Sequence, residues 1–135
     1  MRMRQFPPWD FSPPKECEIM KTAIICNGTE NKNLFPTFIL GSSAVALGYE
    51  VVLFFTPSGA PALKKGFLET VEGKGLPDMM EMLEGFQALD GHIVACELCM
   101  DVHDMTEDDL REGVEVVGAT GFLSDINDAT ITFSF

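Results

Sequence analysis

The chain has 135 residues, is 46% apolar, and sets 21 Asp and Glu against nine Lys and Arg, a formal net charge of −12. That length fits one domain with its own core, and the apolar share excludes a disordered chain. From Leu76 to the end Arg111 is the only basic residue. This excludes nucleic-acid binding by counterion release, which needs clustered cations, and disfavours anionic membrane surfaces.

Residues 1–20, MRMRQFPPWDFSPPKECEIM, hold four of the eight prolines and the only tryptophan. Proline removes backbone donors and stops helices, so the segment reads as an irregular N-terminal arm ahead of a domain over 21–135. The arm is either disordered or rests on a neighbouring subunit through Phe6, Trp9 and Phe11; a start at Met20 is the third reading. Its basic residues are not followed by an apolar signal core. The longest apolar-rich stretch, about Phe35–Leu47, is broken by Gly41, Ser42 and Ser43 and is too short to span a bilayer. A cytoplasmic protein with reduced thiols is expected.

The domain then alternates. KTAIIC (21–26) is a short strand ended by the turn signal Asn27-Gly28. Residues 33–48 predict a helix with Pro36 in its first turn and Gly48 at its stop. YEVVLFFT (49–56) is a continuous apolar run, as in parallel strands buried on both faces. Residues 57–66 read as a loop with one short helix. LPDMMEMLEGFQALDG (76–91) puts Met79, Met82, Leu83, Phe86 and Leu89 on one helical face. GHIVAC (91–96) is the third strand, and MTEDDLREG (105–113) predicts a helix opened by Thr106 and Asp109 at capping-box spacing. VEVVG (114–118), a short helix within 120–129 and TITFSF (130–135) complete the order. Strands alternating with helices imply an α/β fold with a mainly parallel, five-stranded sheet covered on both faces.

Four cysteines stand at 17, 26, 96 and 99, without the spacing of a secreted disulfide framework. Open α/β sheets bind ligands at the carboxyl ends of strands. Cys26 ends the first strand, Cys96 ends the third, and Cys99 falls in the loop expected after it. If strands one and three approach each other, the three thiols gather at one rim. A reactive cysteine needs its thiolate; loop amides, a helix start near Thr106 and His103 would favour it, whereas Glu97, Asp101 and Asp104 oppose it. Cys96, Cys99 and His103, with Cys26 as a fourth ligand, give a zinc alternative. A thioredoxin-like dithiol wants CxxC opening a helix, and here the pair reads as lying in a loop. Plain packing is the competing reading for Cys26, an exposed loop residue for His103, and a turn or strand start for His92. Asn27-Gly28-Thr29 lacks the glycines of a phosphate cradle, and no Ser-His-Asp grouping stands in motif context.

KTAIICNGT, ALGYEVVLFFTPSG, LPDMMEML, IVACELCMDVHDM, DLREGVEVVGATGFL and ATITFSF, in that order, resemble the DsrE/DsrF-like family, particularly its DsrE2-type branch, over about residues 21–135. The resemblance implies a three-layer α/β/α domain and a homo-oligomer, a trimer or a multiple of one. It implies a sulfurtransferase or sulfur-carrier subunit that holds sulfane sulfur or thiosulfonate on a loop cysteine and relays it to an acceptor, with a TusA-like carrier or a rhodanese-like donor as partner. Carried onto this chain, the sulfur-bearing position is Cys96, with Cys99 as second or alternative thiol. Cys26 is a third thiol, and Asn27, Gly28 and His103 are loop support. Many relatives continue into a glycine and a hydrophobic residue where this chain has His103-Asp104-Met105. No cofactor or resident metal is implied. The alternatives are a non-catalytic interaction subunit of a sulfur-metabolism complex and a Cys/His metal-binding domain.

Overall fold

The computed structural model describes residues 19–135. The expected arm, with Phe6, Trp9, Phe11 and Cys17, lies outside the described residues except for Ile19 and Met20.

Five strands, β1 (Lys21–Cys26), β2 (Glu50–Phe55), β3 (His92–Cys96), β4 (Val114–Val117) and β5 (Ile131–Ser134), form one sheet in the order β4-β3-β2-β1-β5. Every neighbouring pair is parallel. This order dictates where the helices go. From β1 to β4 each strand steps to the next position in the same direction. Right-handed crossovers therefore put α1 (Asn31–Ala46), α2 (Met79–Ala88) and the β3–β4 connection on one face. The return from β4 to β5 crosses the whole sheet the other way and carries α4 (Ala119–Asp125) over the second face.

Two cores follow from this. The first face holds Ile24, Leu34, Phe38, Leu53, Phe55, Leu83 and Phe86 against α1 and α2. Among the described residues the second holds Ala23, Val52, Phe54, Val94, Cys96 and Phe122 as its buried members. The fold is the expected three-layer α/β/α, with layers of very unequal depth. Each fully buried Leu or Phe contributes about 1.5–3 kcal/mol, so the first face supplies most of the stability. Val51–Phe55 are all buried, as the continuous apolar run of β2 predicts.

Several boundaries differ from expectation. α1 begins at Asn31, because the Asn33 side chain accepts from the Glu30 backbone N–H at 3.3 Å and fixes an earlier start. Pro36 thus falls in the second turn, where Thr37 Oγ1 donates to the Asn33 carbonyl at 2.7 Å. Gly48 does close the helix, with φ of 87°. α2 buries Met79, Leu83 and Phe86, but Leu89 lies past its end and is 55% exposed. The helix expected over 105–113 is only a 3-10 turn, Glu107–Asp109. Thr106 N–H does donate to Asp109 Oδ2 at 2.8 Å, but Leu110 then pairs with Lys64 in an antiparallel bridge, which stops the helix. A helix appears instead at α3 (Leu98–Val102), directly after β3. Among the described residues no helix is long and apolar enough to cross a membrane.

Candidate functional site

The three described cysteines are free and buried, and the sheet divides Cys96 from the other two. β2 lies between β1 and β3, so Cys26 and Cys96 belong to strands about 9.5 Å apart. Strands one and three therefore do not adjoin, and the condition for the three thiols to gather at one rim is not met. Strand alternation adds to the separation. Cys26 belongs to the first core and Cys96 to the second.

Cys26 is fully buried, with Sγ 3.4 Å from the Gly28 carbonyl and 3.7 Å from that of Asn33. Burial pushes its pKa up, against the lowering effect of hydrogen bonds from Thr37 and Gly28. Its surroundings are pinned. Thr56 N–H donates to the Cys26 carbonyl at 3.2 Å, Asn27 N–H to the Phe135 carbonyl at 2.7 Å, and Thr56 Oγ1 to Asn27 Oδ1 at 2.6 Å. A Cβ on Gly59 would stand 2.4 Å from the Cys26 carbonyl oxygen. Asn27 and the Cys26 carbonyl therefore hold the end of β1 to the chain after β2 and β5, while Gly28 contributes the carbonyl beside the Cys26 thiol. These contacts fit the packing reading of Cys26.

Cys99 was expected in a polar loop. It is instead on α3, 0% exposed, and part of the first core with Met105 and Leu110. Burial raises its pKa, and charge on Cys96 would raise it further. Cys96 and Cys99 therefore face opposite sides of the sheet although only two residues separate them.

Cys96 is 4% exposed and packs in the second core with Val94, Phe54 and Phe122. The Phe54 and Phe122 rings stack above this core at 4.1 Å and 17°. After Cys96 the chain turns at once: Glu97 N–H donates to the Val117 carbonyl at 2.8 Å. The Glu97 carboxylate lies over Gly118, where a Cβ would meet Oε1 at 2.8 Å. Phe54, Phe122 and Gly118 were not singled out from sequence. Phe54 and Gly118 lie within the predicted strand segments YEVVLFFT and VEVVG, and the signal for Phe122 is the isolated aromatic in TGFLSD.

His103 is half-buried rather than an exposed loop residue. Its Nε2 donates to the Pro57 carbonyl at 2.6 Å and ties the end of α3 to the loop after β2. That bond places the proton on Nε2, because a carbonyl can only accept. Cys26, Cys96, Cys99 and His103 do not converge, and among the described residues no group of three or more His, Cys, Asp or Glu could hold a metal. The ligand set of the zinc alternative is thus not gathered in this structure.

Comparisons with known proteins fit this picture. The DsrE/DsrF/DrsH-like family matches residues 18–80 and 64–133. The chain is 28% identical over 145 residues to the sulfur carrier protein DsrE2 of Allochromatium vinosum, covering 78% of this chain and 91% of that protein. The ychN protein of E. coli superposes with a TM-score of 0.68 at 23% identity, over 87% of this chain and all (100%) of that one. A protein of unknown function from Methanobacterium thermoautotrophicum gives 0.58 at 14% identity, over 84% and 96% of the two chains. At those identities the two structures speak to the fold alone.

Proposed function

The chain belongs to the DsrE/DsrF/DrsH-like family, and from that premise we propose that it is a sulfur-relay subunit whose carrier thiol is Cys96. The similarity to a protein named as a sulfur carrier over 78% of the chain carries this reading. In the reaction the Cys96 thiolate attacks the outer sulfur of a donor persulfide. A new S–S bond forms on Cys96, the donor's S–S bond breaks, and the donor leaves as a thiolate. Transfer to the acceptor repeats the same exchange in the other direction, with no net oxidation. A rhodanese-like donor, a TusA-like acceptor, a homo-oligomer built on trimers and a cytoplasmic setting belong to the same proposal. Cys99 serves as second thiol only if α3 opens, because its sulfur is enclosed in the first core.

Mass spectrometry after incubation with polysulfide or a persulfidated donor tests this. The expected product carries one extra sulfur on the Cys96 peptide and is lost in Cys96→Ser but kept in Cys99→Ser. Loading that survives the double replacement refutes the assignment. The burial of all three thiols favours one rival, a non-catalytic interaction subunit. That reading predicts unchanged partner binding by a variant lacking Cys26, Cys96 and Cys99, together with no sulfur loading of the parent chain.

A further inference from the structure

We propose that the thinly covered second face of the sheet is the route to Cys96, and that its groove admits a persulfide borne on a positively charged segment of a partner protein. This rests on Cys96 being the carrier thiol. Among the described residues the topology leaves that face to α4, and Phe122 is the one residue of α4 that is buried. A cavity of about 540 Å³ opens on this face, with Asp125 of α4 in its wall. Its floor is Val52, Val94 and Val117, and its mouth lies at the amino ends of the strands, at Glu50 and His92.

The floor runs toward the thiol. His92, Val94 and Cys96 project from one side of β3 by strand alternation, and Cys96 is paired with Val117. Val94 and Val117 both line the cavity, so its inner end stops at the strand neighbours of Cys96, which lies about 13 Å from His92 at the rise of a parallel strand. Phe122, stacked on Phe54, packs in the same core as Cys96 and covers the thiol beyond this inner end. On the other side of Cys96, Glu97 lies across Gly118 and is bonded through its N–H to Val117. The groove is thus the approach with a preformed space.

The charge of the groove selects its occupant. Glu50, Asp90, Glu115 and Asp125 line it, against Lys21 and His92. Lys21 is already committed: its ammonium is 3.1 Å from Asp128 Oδ1 and donates to the Asp125 carbonyl. His92 Nδ1 lies 3.7 Å from Glu115 Oε1. An apolar floor under a carboxylate-rich mouth repels small sulfur oxyanions such as thiosulfate and draws in a cysteine flanked by Lys or Arg. There the Cys96 thiolate takes the outer sulfur of the partner's persulfide, and the partner's thiolate departs along the groove.

Two methanethiosulfonate reagents of similar size and opposite charge, trimethylammonioethyl and sulfonatoethyl, test this on the full chain. Each forms a mixed disulfide with a thiolate and releases methanesulfinate. Peptide mass mapping reads Cys96, Cys99 and Cys26 in one sample. Normalised to a small free thiol, the cation should modify Cys96 at least about tenfold faster than the anion, and salt should shrink that ratio. Glu115→Lys changes a side chain that is 67% exposed, so the fold tolerates it, and it should pull the ratio several-fold toward the anion. A normalised ratio near one, an anion preference, or a ratio untouched by Glu115→Lys overturns the proposal. Polysulfide loading is read separately. Charge selection without any sulfur loading would refute the relay reading and leave the groove standing; loading without charge selection would do the reverse.

Discussion

Replacing Phe122 with alanine should uncover Cys96 before it unfolds the protein. Phe122 is 4% exposed, stacks on Phe54 at 4.1 Å, and is the sole buried residue of α4. Truncating a buried phenylalanine costs about 3–5 kcal/mol in a well-packed core. The second face is thinly covered and its edge can relax, so the low end, about 3 kcal/mol, is expected. Much of that loss falls on the closing of α4 over the sheet. If about 2 kcal/mol does, the open form rises roughly thirtyfold, since 1.4 kcal/mol is a factor of ten. The assay pairs urea unfolding with iodoacetamide labelling below the transition, reading each thiol by mass. Cys96 should label roughly thirtyfold faster than in the parent chain, with Cys26 and Cys99 unchanged because the first core is intact. Equal acceleration of all three thiols would mean global unfolding and would refute the two-core account. So would unchanged Cys96 labelling alongside the expected loss of stability.

The remaining expectations are simpler. Gly59→Ala would set a Cβ 2.4 Å from the Cys26 carbonyl, which is held by Thr56 N–H and cannot withdraw. Overpacking of this kind costs about 1–3 kcal/mol; thermal unfolding unchanged from the parent would show that the β1–β2 ends are looser than described. Burial holds the Cys26 and Cys99 pKa values above the ordinary 9.0, so the folded state keeps protons that the unfolded state releases. Stability should be at its full value below about pH 9 and fall as pH rises past that unfolded-state value. The urea midpoint should drop less between pH 8 and pH 10 in a Cys26→Ala, Cys99→Ala variant; equal drops would refute the assignment.

The sheet was legible because its signals are local. Hydrophobic runs at 21–26, 49–56 and 91–96 give three strands within a residue of their observed bounds. Glycines in turns marked the stops. What failed was decided by tertiary context. Thr106 and Asp109 do make their capping contacts, yet the pairing of Leu110 with Lys64, 46 residues earlier in sequence, overrides the helix. α3 was missed because its five residues, LCMDV, are too few to show a period. The thiols were misjudged for the same reason. CxxC reads as a pair in sequence, but strand alternation sends Cys96 to one face and helical geometry sends Cys99 to the other. The unequal covering of the two faces follows from strand order, which no local pattern encodes.

This division bears on how sulfur would leave the protein. A persulfide on Cys96 has two exits: transfer to an external thiol, or attack by Cys99 on the inner sulfur, which forms the Cys96–Cys99 disulfide and expels hydrosulfide. The second exit is open only if Cys99 leaves the first core, where it is 0% exposed and sits beside Met105 and Leu110. α3 is short, and a five-residue helix has little stability of its own. It is held by the burial of Cys99 and by the His103–Pro57 bond at 2.6 Å. Burial of a small apolar side chain and one hydrogen bond contribute about 1 kcal/mol each, enough to keep the open form to a few per cent. Intramolecular release should therefore be slow beside transfer to a docked acceptor. The persulfide lifetime without acceptor should agree within about twofold between the parent chain and Cys99→Ser, and His103→Ala should shorten it only when Cys99 is present. A parent-chain persulfide that collapses at once to the disulfide would refute this, and would make Cys99 a working partner of Cys96 despite the sheet between their cores.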